Sequence, residues 1–208
     1  MAPPGSNDAA SRKIGLLGGT FDPIHLAHLR VAEEVREALG LAEVWFIPAG
    51  VPPHKRSEPH LSFEERFHLV KLALEDHPAF RALDLEGRRP GPSYTVDTLE
   101  ELHSLYPEEE FFFILGGDAF QEIQTWRAWR RIPELARLVV VSRGDFSLEK
   151  AQALAQELFP THRLYFVKVT RLDISSTEIR CRRKAGLSIR YLVPEAVFHH
   201  IEKAGLYL

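Results

Sequence analysis

The architecture of this chain is set by one stretch, Gly18-Gly19-Thr20-Phe21-Asp22-Pro23-Ile24-His25-Leu26-Ala27-His28. Before it, the short apolar run Ile14–Gly18 predicts a buried strand that ends in a tight turn. After it, the segment His25–Leu39 places Val31 and Val35 on one face, as an amphipathic helix does, and a glycine follows to end that helix. The stretch is therefore a glycine turn between a strand and a helix.

This turn carries the residue types of a phosphate-binding site. Gly18 and Gly19 leave room for a ligand to approach the backbone, and the start of the helix offers unpaired amides and a positive dipole end. His25 and His28 are three residues apart, so both side chains project on the same side of the helix and could donate hydrogen bonds to phosphate oxygens. Each histidine taken singly is more typical of a partly buried helix residue, and only the combined pattern favours the phosphate site.

Other ligand classes fit the same residues less well. The sequence has neither the Gly-Lys-Ser/Thr of a P-loop nor the G-x-G-x-x-G fingerprint of dinucleotide binding. A zinc site at His25 and His28 is disfavoured because no cysteine or further histidine lies at ligand spacing.

The rest of the chain alternates strand and helix patterns. Apolar runs predict strands at Val44–Ile47, Phe111–Leu115, Leu138–Val141 and Leu164–Val167, with a weaker strand at Leu83 and Leu85. Amphipathic segments predict helices after a capping box of Ser62 and Glu65, from Val96 to Tyr106, from Ser147 to Phe159, and from Pro194 at a first helical position to Gly205. Such alternation implies right-handed crossovers, so the fold class is α/β with a mostly parallel sheet covered on both faces.

A long loop and a second chemical signal stand out from this alternation. Residues 48–61 show no periodicity, which in a compact domain is typical of a functional or disordered loop. In Ile174-Ser175-Ser176-Thr177-Glu178-Ile179-Arg180, Ser175 and Glu178 would form a capping box at a helix start. That box does not explain the other hydroxyls or Arg180, whereas a phosphate would use them all as donors. The adjoining basic residues are more typical of a solvated helix face than of a nucleic-acid patch, namely Arg182, Arg183 and Lys184.

Composition sets limits on the domain organisation, the binding partners and the cellular compartment of the protein. The 208 residues are 45% hydrophobic, which suffices for one core, and we expect a single domain over 13–208 after a disordered tail over 1–12. The net charge of -3 supplies no general attraction toward nucleic acid or an anionic membrane. A lone cysteine, Cys181, excludes a disulfide framework, and no targeting or spanning segment is evident, so we expect a cytoplasmic protein. Whether the chain forms a homo-oligomer stays open.

Together, the glycine turn and the hydroxyl-rich segment resemble the nucleotidyltransferase superfamily, and within it the bacterial nicotinate mononucleotide adenylyltransferases. The resemblance runs from Ile14 to Tyr207 and implies a Rossmann-like, doubly wound parallel sheet of the nucleotidyltransferase type. It also takes in Pro52–His54–Lys55, Pro92–Thr95, Gly116–Asp118, Trp126 and the ending Gly205–Tyr207. The chain departs from the family pattern at Ala27, where glycine is usual, and at Arg127, where an aromatic residue is often found.

The resemblance implies roles for particular residues. It assigns catalysis to side chains that would hold the triphosphate, His25, His28 and Arg180. It assigns ATP binding to Gly18, Gly19, Thr20, Phe21, Gly116, Asp118, Ile174, Ser175, Ser176 and Thr177. It assigns the acceptor to His54, Lys55, Thr95 and Trp126. A helix cap at Asp118 and a core position for Trp126 are the competing interpretations, and Mg²⁺ would come with ATP without an assigned protein ligand.

The implied reaction transfers an adenylyl group from ATP to nicotinate mononucleotide, giving nicotinate adenine dinucleotide and pyrophosphate in NAD biosynthesis. Positioning and charge stabilisation would carry catalysis, without a protein nucleophile. In one alternative the acceptor is nicotinamide mononucleotide or pantetheine phosphate. Trp126 and the Ser93–Thr95 segment disfavour pantetheine phosphate, whereas the sequence leaves the preference between nicotinate and nicotinamide mononucleotide open. In another, motivated by Ala27 and Arg127, the chain is a catalytically silent nucleotide-binding regulator.

Overall fold

The computed structural model describes residues 11–51, 60–142, 148–162 and 164–208. Several sequence predictions therefore lie outside the described residues: those for 1–10 of the tail, for His54 and Lys55, and for the first residue of the helix at Ser147. Arg12, the last residue of the predicted tail, donates to the carboxylates of Glu43 and Glu109.

The described residues form one sheet of six parallel strands. The strands are β1 (Lys13–Gly19), β2 (Glu43–Pro48), β3 (Phe80–Ala82), β4 (Glu110–Gly116), β5 (Arg137–Ser142) and β6 (Tyr165–Lys168). Their order is β3-β2-β1-β4-β5-β6, so the chain builds outward from β1 in one direction and then returns to build from β4 in the other. This confirms the predicted α/β class and places a topological switch point between β1 and β4.

Helices cover both faces of the sheet, and some of their ends carry the predicted caps. They are α1 (Leu26–Leu39), α2 (Phe63–Leu74), α3 (Leu85–Arg88), α4 (Thr95–Leu105), α5 (Gly117–Gln121), α6 (Ile132–Leu135), α7 (Leu148–Leu158), α8 (Ser176–Lys184) and α9 (Glu195–Ala204). Gly40 and Gly205 adopt the left-handed conformation after α1 and α9, and Ser62 accepts a hydrogen bond from the Glu65 amide at the start of α2. Within the described ranges no helix is long and apolar enough to cross a membrane.

Side chains along each strand point alternately to the two faces of the sheet, and they contribute to two separate hydrophobic cores. In β4, Phe112 and Ile114 belong to the core on one face, whereas Phe111, Phe113 and Leu115 belong to the core on the other. The first core is closed by α1, α2, α8 and α9, and the second by α3 to α7. The uniformly apolar run in β4 therefore reflects a central strand that is buried on both faces, as its sequence predicted.

Three local predictions need correction. The strand expected at Leu83 and Leu85 lies at Phe80–Ala82, because this edge strand is short and exposes its middle residue, while both leucines pack into the second core. Pro194 caps α9 instead of occupying its first turn. Arg183 is not on a solvated face: it lies one turn after Ile179 on the buried side of α8 and pairs with a glutamate of α9.

Candidate active site

Two adjoining cavities open at the carboxyl ends of β1 and β4, at the switch point of the sheet. The larger has a volume of about 440 Å³, and the smaller has a volume of about 150 Å³. Gly18, Gly19, Phe113 and Trp126 line both of them. Ligands bound in the two cavities would therefore meet beside the glycine turn.

The glycines of the turn keep this junction open for different reasons. A Cβ added at Gly18 would have only the Phe113 ring as a neighbour, at 4.0 Å, so it would stand in the space that the cavities occupy. A Cβ at Gly19 would come within 3.1 Å of the Phe21 ring, which is buried and sits on a residue with φ of 49°. Gly18 thus leaves space for a ligand, and Gly19 leaves space for the turn itself.

The two histidines form a stacked pair at the start of α1. Their ring centroids are 3.7 Å apart, and the His28 ring also meets the Phe21 ring edge-on at 5.0 Å. The His25 amide donates to Nδ1 of His28 at 3.2 Å. Because Nδ1 accepts, the neutral His28 ring carries its proton on Nε2, where it can donate.

Only one of these histidines lines a cavity. His28 is part of the wall of the larger cavity, whereas His25 is 3% exposed and does not contribute to either wall. The structure therefore places the His28 ring, and not the His25 ring, in the wall of the larger cavity, and the phosphate contacts of both rings stay predictions. His25 supports it, through the stacked ring and the amide that fixes its tautomer.

The hydroxyl-rich segment converges on the glycine turn, as the sequence predicted. Ser175 caps α8 by accepting from the Glu178 amide at 3.1 Å. The Ser176 hydroxyl donates to the Pro23 carbonyl at 2.9 Å, so the first turn of α8 touches the turn that follows β1. Two stretches about 150 residues apart in the chain are thus joined, as a shared polyphosphate site requires.

Arg180 completes this junction. Its guanidinium donates to the Asp22 carbonyl at 2.7 Å and to the Thr177 hydroxyl at 3.2 Å. These two bonds use some of the five N–H donors of the guanidinium and hold its positive charge beside the glycine turn. The position suits the predicted role as a charged clamp for phosphate oxygens.

Side chains of the acceptor type gather around the smaller cavity. Thr95 is the first residue of α4 and lines this cavity, so the positive end of that helix faces it. Trp126 lies at the boundary between the cavities, half-buried, and meets Phe113 edge-on at 6.1 Å. Trp126 follows a short 3₁₀ turn. Its side chain lines the cavities and also packs against the second hydrophobic core.

Glu86, whose side chain is 12% exposed, is a residue of the same wall that the sequence analysis did not predict. The Thr98 hydroxyl donates to it at 2.8 Å, and the guanidinium of Arg89 donates in turn to that hydroxyl. Burial raises the pKa of Glu86, while its hydrogen bonds from Thr98 and Ser93 oppose the rise. No pattern marks this residue, because a glutamate in a short helix is usually a surface residue.

Several predicted ligand residues do not line either cavity. Asp118 is exposed in the first turn of α5, between Gly116 and Ala119, which both line the larger cavity. Besides His25, the other predicted residues that line neither cavity are Thr20, Phe21, Ile174, Ser175, Ser176, Thr177 and Arg180. Their ligand roles stay predictions.

The two departures from the family pattern have clear places. Ala27 is 2% exposed and forms part of the wall of the larger cavity beside His28. Arg127 lines neither cavity; it pairs with Asp97 at 3.1 Å and covers the ring of Tyr94 at 4.7 Å. The first departure therefore changes a cavity wall, and the second does not.

Comparison with known proteins agrees with this geometry. The family model described as cytidylyltransferase-like matches residues 16–182. A Thermus thermophilus protein named "Probable nicotinate-nucleotide adenylyltransferase" is 48% identical, over 94% of this chain and 99% of its own length. A Geotalea uraniireducens protein of the same name is 46% identical, over 94% of this chain and 98% of its own length.

Among solved structures, the Plasmodium falciparum nicotinic acid mononucleotide adenylyltransferase complexed with NaAD superposes with a TM-score of 0.78 at 23% identity. The match covers 94% of this chain and 97% of the other. The same enzyme complexed with APC gives a TM-score of 0.76. At this identity the likeness concerns the fold, and the sequence matches carry the family: the chain belongs to the cytidylyltransferase-like family and, within it, to the nicotinate-nucleotide adenylyltransferases.

Proposed function

We propose that this chain transfers the adenylyl group of ATP to nicotinate mononucleotide, forming nicotinate adenine dinucleotide and pyrophosphate in NAD biosynthesis. The observation that carries the proposal is the pair of cavities that share Gly18 and Gly19. ATP would occupy the larger cavity, and the pyridine ring of the acceptor would occupy the smaller. The reacting phosphates would then meet beside the glycine turn.

The reaction needs alignment and not a protein nucleophile. A phosphate oxygen of the acceptor attacks the α-phosphorus of ATP and forms the new phosphorus–oxygen bond, while the bond from the α-phosphorus to the bridging oxygen breaks. Pyrophosphate leaves with that oxygen and its electron pair. When both reactants are bound in line, their translational and rotational entropy has already been lost on binding, so this loss no longer adds to the activation barrier. This is the main contribution expected of the two cavities.

Charge on the phosphates is stabilised by donors on both sides of the turn. His28 would donate its Nε2 proton to a phosphate oxygen, and the first turn of α8 would add its hydroxyls and amides. Arg180 would contribute the remaining donors of its guanidinium. These groups are held in place by contacts with the turn, so little reorganisation is needed when charge develops.

Magnesium belongs to the proposal as a companion of ATP. Within the described ranges no group of three or more His, Cys, Asp and Glu side chains is arranged to hold a metal ion. The donors around the larger cavity suit phosphate oxygens, so an ion would be held by the triphosphate itself, with Asp118 as the carboxylate placed at the rim. Its chemistry would be to neutralise phosphate charge.

The smaller cavity favours an acceptor with an anionic ring substituent. The N-terminus of α4 at Thr95 offers a positive dipole end to a carboxylate. Glu86 lies in the same wall, and its charge is countered by the hydrogen bond from Thr98, whose hydroxyl in turn accepts from the Arg89 guanidinium. Trp126 supplies an aromatic wall for the ring, which pantetheine phosphate would not use.

The test is pyrophosphate release from ATP and Mg²⁺ with nicotinate mononucleotide, nicotinamide mononucleotide or pantetheine phosphate as acceptor. We expect the highest kcat/KM with nicotinate mononucleotide, and a dinucleotide in amounts equal to the pyrophosphate. Faster turnover of another acceptor would move the assignment within the superfamily. Binding of ATP without pyrophosphate release for any acceptor would favour a regulator. A cytoplasmic location and the oligomeric state stay predictions to be tested separately.

A further inference from the structure

Arg66 of α2 is a buried arginine that the proposed reaction does not use. It is 1% exposed, and its hydrogen bonds go to main-chain carbonyls and not to a carboxylate. Burial lowers the pKa of Arg66, and the charge of Asp22 opposes that effect. A buried guanidinium is costly to desolvate, so its retention calls for a specific task.

The three carbonyls that Arg66 binds belong to three different positions around the active site. Its guanidinium donates to Thr20 at 2.7 Å, to Gly50 at 3.3 Å and to Leu61 at 3.3 Å. Thr20 lies in the glycine turn, whereas Gly50 and Leu61 flank the stretch 52–59, which lies outside the described residues. One planar fork thus ties the nucleotide turn to both ends of the long loop, a geometry that lysine cannot reproduce.

Asp22 also binds the far end of the long loop, at His60. Its carboxylate, 3% exposed, accepts from the His60 amide at 2.7 Å and from the Tyr207 hydroxyl at 2.8 Å. Burial, with the Asp22 charge and hydrogen bond, raises the pKa of Tyr207, so that hydroxyl stays a donor. The second-last residue of the chain therefore helps to hold the loop end at the turn.

The near end of the loop is a wall of the smaller cavity. Ala49 lines that cavity, and its amide donates to the Gly19 carbonyl at 2.8 Å. The next two amides, those of Gly50 and Val51, donate to the hydroxyl of Ser93, which also lines the cavity. The position of this segment relative to the turn sets where the acceptor lies relative to ATP.

We propose that Arg66 is a positioning residue that fixes the acceptor wall against the nucleotide turn, with Asp22 and Tyr207 as its partners at the far end of the loop. This inference rests on the proposed function, because it concerns the alignment of two substrates. Misplacement of reacting groups by about 1 Å can cost about 100-fold in rate. Loss of the fork should therefore lower kcat more than it weakens the binding of ATP alone.

The test compares Arg66→Lys with Arg183→Lys. Arg183 is also a buried helix arginine, but it binds Glu202 and the Leu206 carbonyl, which line neither cavity. Measured well below the melting temperature, Arg66→Lys should lower kcat by about 10- to 100-fold with the KM for ATP changed by less than about threefold. Arg183→Lys should lower the melting temperature and leave kcat within about twofold.

Hydrogen exchange supplies a readout that does not depend on turnover. In Arg66→Lys the amides of Gly50 and His60 should exchange at least about tenfold faster than in the wild type, while Arg183→Lys should leave both unchanged. Tyr207→Phe, which removes one hydroxyl, should act in the same direction on His60 and on kcat, and it serves if Arg66→Lys does not fold.

Wild-type kcat together with wild-type exchange at Gly50 and His60 in Arg66→Lys, or together with wild-type exchange at His60 in Tyr207→Phe, would overturn the proposal. A wild-type protein that makes no dinucleotide would instead refute the proposed function. In that case faster exchange at the two amides would still establish the coupling between the loop ends and the turn, and unchanged exchange would still overturn it.

Discussion

Substitution of Gly18 by alanine tests the shared cavity wall with the smallest change of structure. Gly18 lies at the end of β1 without a positive φ, and the nearest atom to an added Cβ would be 4.0 Å away. The fold should accept the methyl group, and the melting temperature should change by less than about 3 °C. The effect of the substitution should therefore appear in catalysis and not in stability.

The magnitude follows from the size of the smaller cavity. A methyl group takes roughly the 30 Å³ that a water molecule occupies in the liquid, which is about a fifth of the 150 Å³ available. Leu16 and Gly18 both line the smaller cavity, so we expect the added methyl group to displace the acceptor by on the order of 1 Å. A displacement near 1 Å corresponds to about a 100-fold loss, or about 2.7 kcal/mol, in kcat/KM for the acceptor.

The assay is pyrophosphate release at saturating ATP with the acceptor varied, accompanied by thermal unfolding of each protein. We expect kcat/KM for nicotinate mononucleotide to fall about 100-fold in Gly18→Ala. A folded Gly18→Ala protein with wild-type kcat/KM would show that the acceptor does not lie against Gly18, and would contradict the proposed binding of the acceptor in the smaller cavity.

Three further predictions follow from the same structure. His28→Ala should slow turnover by about two to four orders of magnitude through lost phosphate stabilisation, with unchanged circular dichroism, and near-wild-type turnover would remove His28 from the mechanism. Gly40→Ala forces a φ of 61° on a residue with a Cβ, so it should cost about 1 kcal/mol and about 2–4 °C in melting temperature, with kcat unchanged. The folded-state pKa of Tyr207 is raised above the reference value of 10.0, so its contribution to stability is complete below pH 10 and is lost as pH rises further, because only the unfolded state then ionises. Thermal unfolding from pH 9 to 11 should show a shallower decline in Tyr207→Phe, and an equal decline in both proteins would contradict this assignment.

Elements buried on both faces were predictable from the sequence. The run Phe111–Leu115 needs no partner information, because only a central parallel strand places consecutive apolar residues in two cores. The short edge strand Phe80–Ala82 was not predictable. Its middle residue, Arg81, is exposed and covers the Trp45 ring at 5.4 Å, so it lacks the apolar pattern that marks a buried strand.

The candidate site was predictable where local chemistry repeats a known arrangement. The glycine turn and the start of α8 each carry their own signature, and the structure brings them together through the bond from Ser176 to Pro23. Arg66 and Glu86 were not predictable, because their burial depends on which loops fold over them. A charged residue in a helix has the same local appearance whether it faces solvent or a cavity wall.

The most direct test of the central claim follows the phosphorus atoms of ATP through one turnover with nicotinate mononucleotide. We expect label at the α-phosphorus of ATP to appear in the dinucleotide, whereas label at the γ-phosphorus should appear only in pyrophosphate. If the α label stayed in ATP, or left with the γ label, while the nucleotide was bound, the joined cavities would not be an adenylyl-transfer site.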